Sequence, residues 1–145
     1  MSVNIRQNGD SSLGLVGVSG LTNPSGDGFV PVTLNYSAST PDCTMFVADR
    51  KYVVKAIRGR VDVAGTGGAC TAVIRKVASG TALTSGTALH SSSFNLVGTA
   101  ATNQTLTLST TASDLLLDAG DAIVYDLTGT ATSAVGAITV HLAPA

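Results

Sequence analysis

The sequence predicts an all-β fold, a two-sheet antiparallel sandwich with the jelly roll as its architecture. Apolar residues alternate with polar ones in short segments, and helical spacing is almost absent. Clusters of Gly, Ser and Thr separate these segments, with Gly alone contributing 16 of 145 residues. About eight or nine predicted strands follow from this spacing of turn signals. An immunoglobulin-like sandwich is the alternative, although the chain has no Trp and lacks the cysteine pattern typical of that fold.

The chain divides into an extended N-terminal arm, residues 1–28, and a β-sandwich domain, residues 29–145. Six glycines punctuate single Leu and Val residues in the arm. This composition is too rich in Gly for a stable helix and too apolar for a simple flexible linker. We therefore expect an arm that lies on another surface, with a disordered terminus as the alternative.

The first predicted strand covers residues 30–36, where Pro31 indicates an edge strand or a strand start. A short strand over 44–48 and a long one over 52–63 follow. Within the long strand the alternation of apolar and polar residues changes phase near Gly59, which predicts a β-bulge there.

The glycine cluster 65–68 predicts a turn that joins the long strand to an antiparallel partner over 70–77 in a hairpin. A six-residue duplication over 79–90 follows, and two copies are too few for a solenoid. We expect it to form a loop and a short strand that lead to Phe94.

The last third of the chain contains a predicted strand over 104–108 and a segment, 111–117, that fits either a helical turn or a buried strand. A tight turn over 118–121 places Gly120 at a positive φ. Strands over 121–128 and 134–142 complete the sandwich. The residues predicted to face inward are Leu106, Leu108, Ile138, Val140 and Leu142. Ile123, Tyr125 and Leu127 share one face of their strand, opposite to Val124.

The composition favours a binding protein and argues against an enzyme. The chain has no Glu, and its two His residues, His90 and His141, lie far apart in sequence and are expected at the surface or an interface. Neither a metal nor any other cofactor is predicted. Cys43 and Cys70 lack the spacing of a zinc site and are expected to be reduced and buried, with a disulfide as the less favoured alternative. Asp114, Asp118, Asp121 and Asp126 match no calcium-binding loop.

Positive charge is concentrated in one part of the chain. Seven of the eight Lys and Arg residues lie between positions 50 and 76, where Asp62 is the one acidic residue. A basic strip of this kind either forms solvated strand ends or meets an acidic protein neighbour. We predict no nucleic-acid partner, because the net charge is −1 and aromatic residues are scarce. No membrane association is predicted, since no apolar run has the length of a membrane span and the first residues lack a signal-peptide pattern.

Several motifs in order resemble a family of small proteins of tailed bacteriophages, the head decoration or capsid cement proteins. The resemblance covers about residues 45–142 and leaves out the arm. Its motifs are VDVAGTGGACTAVIRK from Val61, SGTAL from Ser85, FNLVGTA from Phe94, QTLTLS from Gln104, LDAGD from Leu117 and DLTGT from Asp126.

The resemblance implies a small jelly roll that sits on the outer capsid surface and bridges neighbouring major capsid proteins. The implied location is the virion, after assembly in the cytoplasm of a bacterial host, and the implied partner is the phage major capsid protein. We expect a homo-oligomer, a dimer first and a trimer second. The alternative is a carbohydrate- or receptor-binding module of a phage fibre or head appendage. The candidate capsid-contact residues are Arg6, Leu13, Leu15, Val16, Val18, Leu21, Arg50, Lys51, Lys55, Arg58, Arg60, Arg75 and Lys76.

Overall fold

The computed structural model describes residues 29–145, so the predicted arm, 1–28, lies outside the described residues. Two five-stranded antiparallel sheets form the fold. The helical elements of this range are two short 3₁₀ turns, Leu83–Ser85 and Ala112–Leu115. Within this range no helix has the length and apolar character needed to cross a membrane. The prediction of a two-sheet antiparallel sandwich is confirmed.

Ten strands make up the two sheets. In chain order they are β1 (Val30–Ser37), β2 (Cys43–Val47), β3 (Tyr52–Val63), β4 (Thr66–Val77), β5 (Thr87–Ala88), β6 (Phe94–Asn95), β7 (Thr102–Leu106), β8 (Leu116–Leu117), β9 (Ala122–Thr132) and β10 (Val135–Pro144).

The order of the strands is that of a jelly roll. The first sheet, called the β1 sheet here, has the order β1-β10-β3-β7, with β8 also paired to β3. The second, the β2 sheet, has the order β2-β9-β4-β5, with β6 also paired to β4. If β5 with β6 and β7 with β8 are each counted as one interrupted strand, the sandwich has the eight strands of a jelly roll, four in each sheet. This order distinguishes the fold from the immunoglobulin-like alternative.

The core lies between the two sheets and is formed by alternate residues of each strand. Ile138, Val140 and Leu142 of β10 are fully buried, as the alternation of the last strand predicted. Tyr36 of β1 meets Phe94 of β6 edge to face, with 5.7 Å between the ring centroids. Such a pair stabilises the core beyond the area that its rings bury.

The glycine cluster 65–68 does not form a hairpin, so this prediction is wrong. β3 and β4 belong to different sheets, and β4 pairs with β9. At the crossing, the Gly65 N–H donates a hydrogen bond to the Leu96 carbonyl at 3.0 Å. A Cβ at Gly65 would lie 2.7 Å from the Cβ of Ala131. The glycines therefore allow the chain to cross between layers, and a turn signal does not reveal which sheet the next strand enters.

The predicted bulge near Gly59 is also misplaced. Gly59 pairs in regular register with Ile138, whereas the register of β3 shifts at Lys55 and again at Asp62. A Cβ at Gly59 would lie 2.2 Å from Cε2 of Phe94. Glycine fits at position 59 because the Phe94 ring occupies the space that a side chain would need.

The turn over 118–121 is confirmed, and Gly120 has a φ of 94°. The Asp121 N–H donates to the Asp118 carbonyl at 3.0 Å, and the Asp118 N–H donates to Oδ2 of Asp121 at 2.9 Å. Both alternatives for 111–117 are present in succession, since the 3₁₀ turn Ala112–Leu115 leads directly into β8.

Two further expectations concern β1 and the cysteines. β1 pairs with β10 alone and is an edge strand, as Pro31 indicated. Both cysteines are free thiols; Cys70 is buried and Cys43 is half-buried. Burial is the main cause that raises the pKa of each thiol, so both favour the protonated form.

Candidate functional site

The seven cations of residues 50–76 do not form one continuous strip, so this part of the prediction is wrong. Lys55, Arg58 and Arg60 lie on β3 in the β1 sheet. Arg75 and Lys76 lie on β4 in the β2 sheet. The chain crosses from one sheet to the other between these groups, which separates charges that are close in sequence.

Arg75 forms a half-buried ion pair that belongs to the fold. Its Nε donates to Oδ2 of Asp126 at 2.6 Å, and its Nη1 donates to the Gly86 carbonyl at 3.1 Å. The Arg75 side chain is 23% exposed and the Asp126 side chain is 7% exposed. Through the Gly86 contact, Arg75 attaches the segment 79–86 to the outside of the β2 sheet. Because Asp126 already neutralises its charge, Arg75 is poorly suited to bind a ligand.

Lys76 is likewise used inside the molecule. Its Nζ donates to the carbonyl of Ser113 at 2.7 Å and to that of Leu116 at 2.8 Å. These carbonyls lie at the 3₁₀ turn that precedes β8, where backbone acceptors lack helical partners. Lys76 therefore joins β4 of the β2 sheet to the segment that leads into β8 of the β1 sheet.

Arg50 and Lys51 lie in the turn between β2 and β3 and are paired at the surface. Arg50 contacts Asp49 at 3.3 Å, and Lys51 contacts Asp118. The hydrogen bond from Lys51 is the main cause that lowers the pKa of Asp118. Because all four side chains are well exposed, each pair contributes little to stability.

Two cations of β3 are exposed and have no carboxylate partner in the described part of the chain. Arg58 and Lys55 are exposed, and neither has a carboxylate within ion-pair distance among residues 29–145. Arg60 contacts Asp62 at 2.8 Å and donates from Nη1 to Oδ1 of Asn103 at 3.2 Å. Uncompensated positive charge therefore occurs on β3.

Arg58 and Arg60 line a shallow groove on the outer face of the β1 sheet, with a volume of about 390 Å³. Across the strands, Arg58 is in register with Thr139 of β10 and Thr105 of β7. Thr139 in turn shares a hydrogen bond with Thr33, with 2.8 Å between the two Oγ1 atoms. Short polar side chains thus surround the guanidinium groups. His141 also lines the groove and is half-buried.

An exposed apolar pair lies at one end of the same face. Val63 of β3 and Val135 of β10 are in register and are 46% and 43% exposed. The register shift at Asp62 explains the exposure of Val63, since a bulge turns the following side chain to the opposite face of a strand. Val135 faces outward through the regular alternation of β10. Without that bulge, Val63 would point inward like Val61.

Part of the outer face of the β2 sheet is covered by the chain itself. The 3₁₀ turn Leu83–Ser85 contacts both β4 and β9. Val124 of β9 has 0% exposure although it lies between the inward-facing Ile123 and Tyr125. The duplicated segment 79–90 therefore forms part of a cover on this sheet, and the two outer faces of the sandwich differ.

His90 is buried, which corrects the expectation of a surface or interface histidine. Its Nε2 accepts a hydrogen bond from the Ile74 N–H at 2.9 Å. On β4, Ile74 lies between the residues that pair with β5 and the residues that pair with β6. Its N–H therefore has no partner in a neighbouring strand. Burial is the main cause that lowers the pKa of His90, and the ring acts as a neutral acceptor.

Two tyrosines and two aspartates have environments that the described part of the chain sets. Burial is the main cause that raises the pKa of Tyr36 to about 12 and that raises the pKa of Tyr125 still further, so neither phenol ionises near neutral pH. Among residues 29–145, no three His, Cys or Asp side chains gather as a metal site would require. Asp126 pairs with Arg75, and Asp114 accepts a hydrogen bond from Ser109 at 2.6 Å.

Comparison with known proteins places the chain in no family. No family model matches it, and no curated protein matches it. A solved structure described as "Structure of infectious bursal disease virus Gx strain" is similar to it with a TM-score of 0.33 and 16% identity, over 79% of this chain and 32% of the other. The chain thus spans about a third of that protein's length. A similarity of this extent carries no argument about function.

The candidate residues Arg6, Leu13, Leu15, Val16, Val18 and Leu21 lie outside the described residues. Of the seven candidates within them, the fold brings Arg58 and Arg60 to one groove and separates Arg75 and Lys76 from it. Sequence reasoning missed the apolar pair of Val63 and Val135, because the exposure of Val63 depends on a bulge in β3. The polar residues of β7 and β10 that line the groove were also missed. Their alternation with apolar residues indicated that they face outward.

Proposed function

We propose that this protein is a structural virion protein that binds the outer surface of a phage capsid and bridges neighbouring major capsid proteins. The observation that carries the proposal is the jelly-roll order of the strands, over the residues whose motifs resemble the head decoration family. Because jelly rolls serve many functions, the resemblance of the motifs supplies the functional part of this argument and the fold agrees with it.

The use of the charged groups supports a binding role over a catalytic one. Arg75, Asp126 and Lys76 stabilise the sandwich through contacts within it. Arg58 and Lys55 remain exposed on β3 and are available to an acidic neighbour. Such contacts orient a partner and increase the rate of association more than they increase affinity.

Bridging requires more than one contact for each molecule. In this proposal the sandwich supplies one contact, and the arm, residues 1–28 with its Leu and Val residues, supplies another. Several weak contacts on a repetitive shell then act together and give a stable attachment. Self-association into a dimer, or else a trimer, multiplies the contacts further.

The positions of the aromatic residues favour this proposal over a sugar-binding module of a fibre or head appendage. Tyr36, Tyr52, Tyr125 and Phe94 are buried, and Phe46 is half-buried. Phe29, at the start of the described range, is the exposed aromatic residue. Sugar-binding sites usually present exposed aromatic rings on which sugars stack, and neither Tyr nor Phe lines the groove of the β1 sheet.

The test is to mix the purified full-length protein with undecorated heads of the phage that encodes it. Sedimentation and electron microscopy then report whether the protein migrates with the heads in a fixed copy number. Heads that already carry their decoration serve as the control, since their sites are occupied. Saturable and symmetric occupancy supports the proposal. Absence of binding to undecorated heads contradicts it, and a glycan array would then test the alternative.

A further inference from the structure

We propose that the outer face of the β1 sheet is the surface through which this protein docks on its partner, and that the partner presents carboxylate side chains there. The docking face is formed by Arg58, Arg60, Thr105 and Thr139, with Val63 and Val135 at one end. The identification of the partner as a capsid protein rests on the proposed function. The choice of the face rests on charge, accessibility and area.

Charge complementarity is the first argument. Arg75 and Lys76 have their partners within the fold, and Arg50 and Lys51 are paired with carboxylates at the surface. Arg58 has no carboxylate partner in the described range, and the Arg60 contacts involve only Nε and Nη1. Carboxylates match the planar guanidinium group through two parallel hydrogen bonds, so an acidic protein surface is the complementary partner.

Accessibility is the second argument. The segment 79–86 covers part of the β2 sheet, as the complete burial of Val124 shows. On the β1 sheet, in contrast, Thr33, Arg58, Arg60 and Thr105 are all exposed, and no other part of residues 29–145 lies over them. Because the side chains between the arginines are short, an approaching surface reaches both guanidinium groups without displacing any part of the described chain.

The area of the face is the third argument. With strands about 4.8 Å apart and a rise of about 3.3 Å for each residue, four strands of about eight residues span roughly 500 Å². Contact across this area buries about 1,000 Å² on the two partners together, which is the lower bound for a specific interface. The face is thus large enough to dock and small enough to depend on further contacts for stable attachment.

The composition of the face is the fourth argument. Arg residues are enriched at protein interfaces, and the exposed pair of Val63 and Val135 adds an apolar contact beside them. A nucleic acid or a sugar is less suited, because no Phe or Tyr lines the groove. Asp62 contacts Arg60, and Arg58 has no carboxylate partner among residues 29–145.

The test compares charge reversals on and off the face in the full-length protein. R58E/R60E changes two cations of the face, and R50E/K51E makes the same change of charge in the β2–β3 turn. R58E is added because Arg58 has no partner to lose, whereas a Glu at position 60 lies beside Asp62. Unfolding by urea checks that each variant retains its fold. We expect R58E/R60E to weaken binding to undecorated heads at least tenfold and R58E at least threefold, with less than a twofold change for R50E/K51E.

The outcomes separate this inference from the proposed function. If the wild-type protein binds heads and both double variants weaken binding equally, net charge governs attachment and the docking face is wrong. If neither double variant weakens binding, attachment uses another surface and the docking face is again wrong. The proposed function survives in both cases.

If the wild-type protein does not bind heads, the proposed function fails and the face is tested with polyglutamate. We expect polyglutamate to shift the backbone amide NMR signals of β3, β7 and β10 in the wild-type protein and not in R58E/R60E. Shifts confined to the β2–β3 turn, or no shifts at low salt, overturn the docking face. Tighter binding of a DNA oligonucleotide of equal charge, or of a neutral glycan, at the same residues overturns the assignment of an acidic protein partner.

Discussion

Nε2 of His90 lies 2.9 Å from the backbone nitrogen of Ile74 and accepts its hydrogen bond inside the sandwich. The His90 ring takes the place of a strand at a gap in the β2 sheet, because β5 and β6 leave Ile74 without a ladder partner on that side. On the same side, the Leu89 N–H donates to the Ile74 carbonyl at 2.9 Å. The second copy of the duplicated segment thus completes the edge of the sheet with one side chain and one backbone group.

This contact predicts a pH dependence of stability. The pKa of His90 in the folded protein lies below its ordinary value of 6.5, so the unfolded chain binds protons more readily. The contribution of His90 to stability is therefore complete above pH 6.5 and is lost as the pH falls through the folded pKa. We expect urea unfolding to show lower stability at pH 5.5 than at pH 7.5, and the difference to shrink in H90Q. An equal pH dependence in the variant would assign the effect to other groups.

Substitution of Gly59 tests the packing of the Phe94 ring. We expect G59A to destabilise the protein by about 1 to 3 kcal/mol, because the new methyl group forces a buried ring to move. G68A is the matched control, since nothing lies within 4 Å of the position its Cβ would take. The free energy of unfolding in urea measures both variants. Equal stabilities of G59A and G68A would show that the ring moves without cost.

Removal of Arg75 tests whether its ion pair belongs to the fold. We expect R75A to lower the free energy of unfolding by about 2 to 3 kcal/mol, since it leaves the buried Asp126 carboxylate without its charged partner. R50A, which removes an exposed pair, should cost less than about 1 kcal/mol. A double-mutant cycle with D126A measures the interaction itself. A loss in R75A no greater than that in R50A would contradict the structural role.

Deletion of residues 1–28 tests the division of the chain. Residues 29–145 hold the eight strands of a jelly roll around one buried core, so we expect the shortened protein to unfold cooperatively at nearly the same urea concentration. We expect its attachment to undecorated heads to weaken by about tenfold or more, because one of the contacts that act together is gone. Loss of cooperative unfolding would show that the arm is part of the core.

Salt tests the electrostatic part of attachment. Exposed charges are screened over about 10 Å at 0.1 M salt and about 3 Å at 1 M. We expect wild-type binding to heads to weaken as salt is raised and the binding of R58E/R60E to change less. A salt dependence that is the same in both proteins would indicate that the arginines of β3 remain solvated in the complex.

Most of the individual strands were predictable from the sequence because their signals are local. The long strand over 52–63 coincides with β3, and the alternation in the last strand identified Ile138, Val140 and Leu142 as core residues. The tight turn with Gly120 was also predictable, since it needs only a few neighbouring residues of the right chemistry.

The candidate site was predictable only in part. Sequence reasoning selected Arg58 and Arg75 by the same criterion, their place in a run of cations. The structure pairs Arg75 with Asp126 at 2.6 Å and leaves Arg58 without a carboxylate partner among the described residues. No local pattern distinguishes these two arginines, because the difference lies in a residue that is distant in sequence.

Local chemistry specifies the class of fold, the approximate strands and which side chains of the last strand turn inward, since alternation and turn chemistry act between near neighbours. Packing between distant strands places β3 and β4 in different sheets, exposes Val63 through the bulge at Asp62, and buries His90. These outcomes depend on contacts between strands that are distant in the chain. They arise when two sheets pack together, and the packing decides which charges remain at the surface.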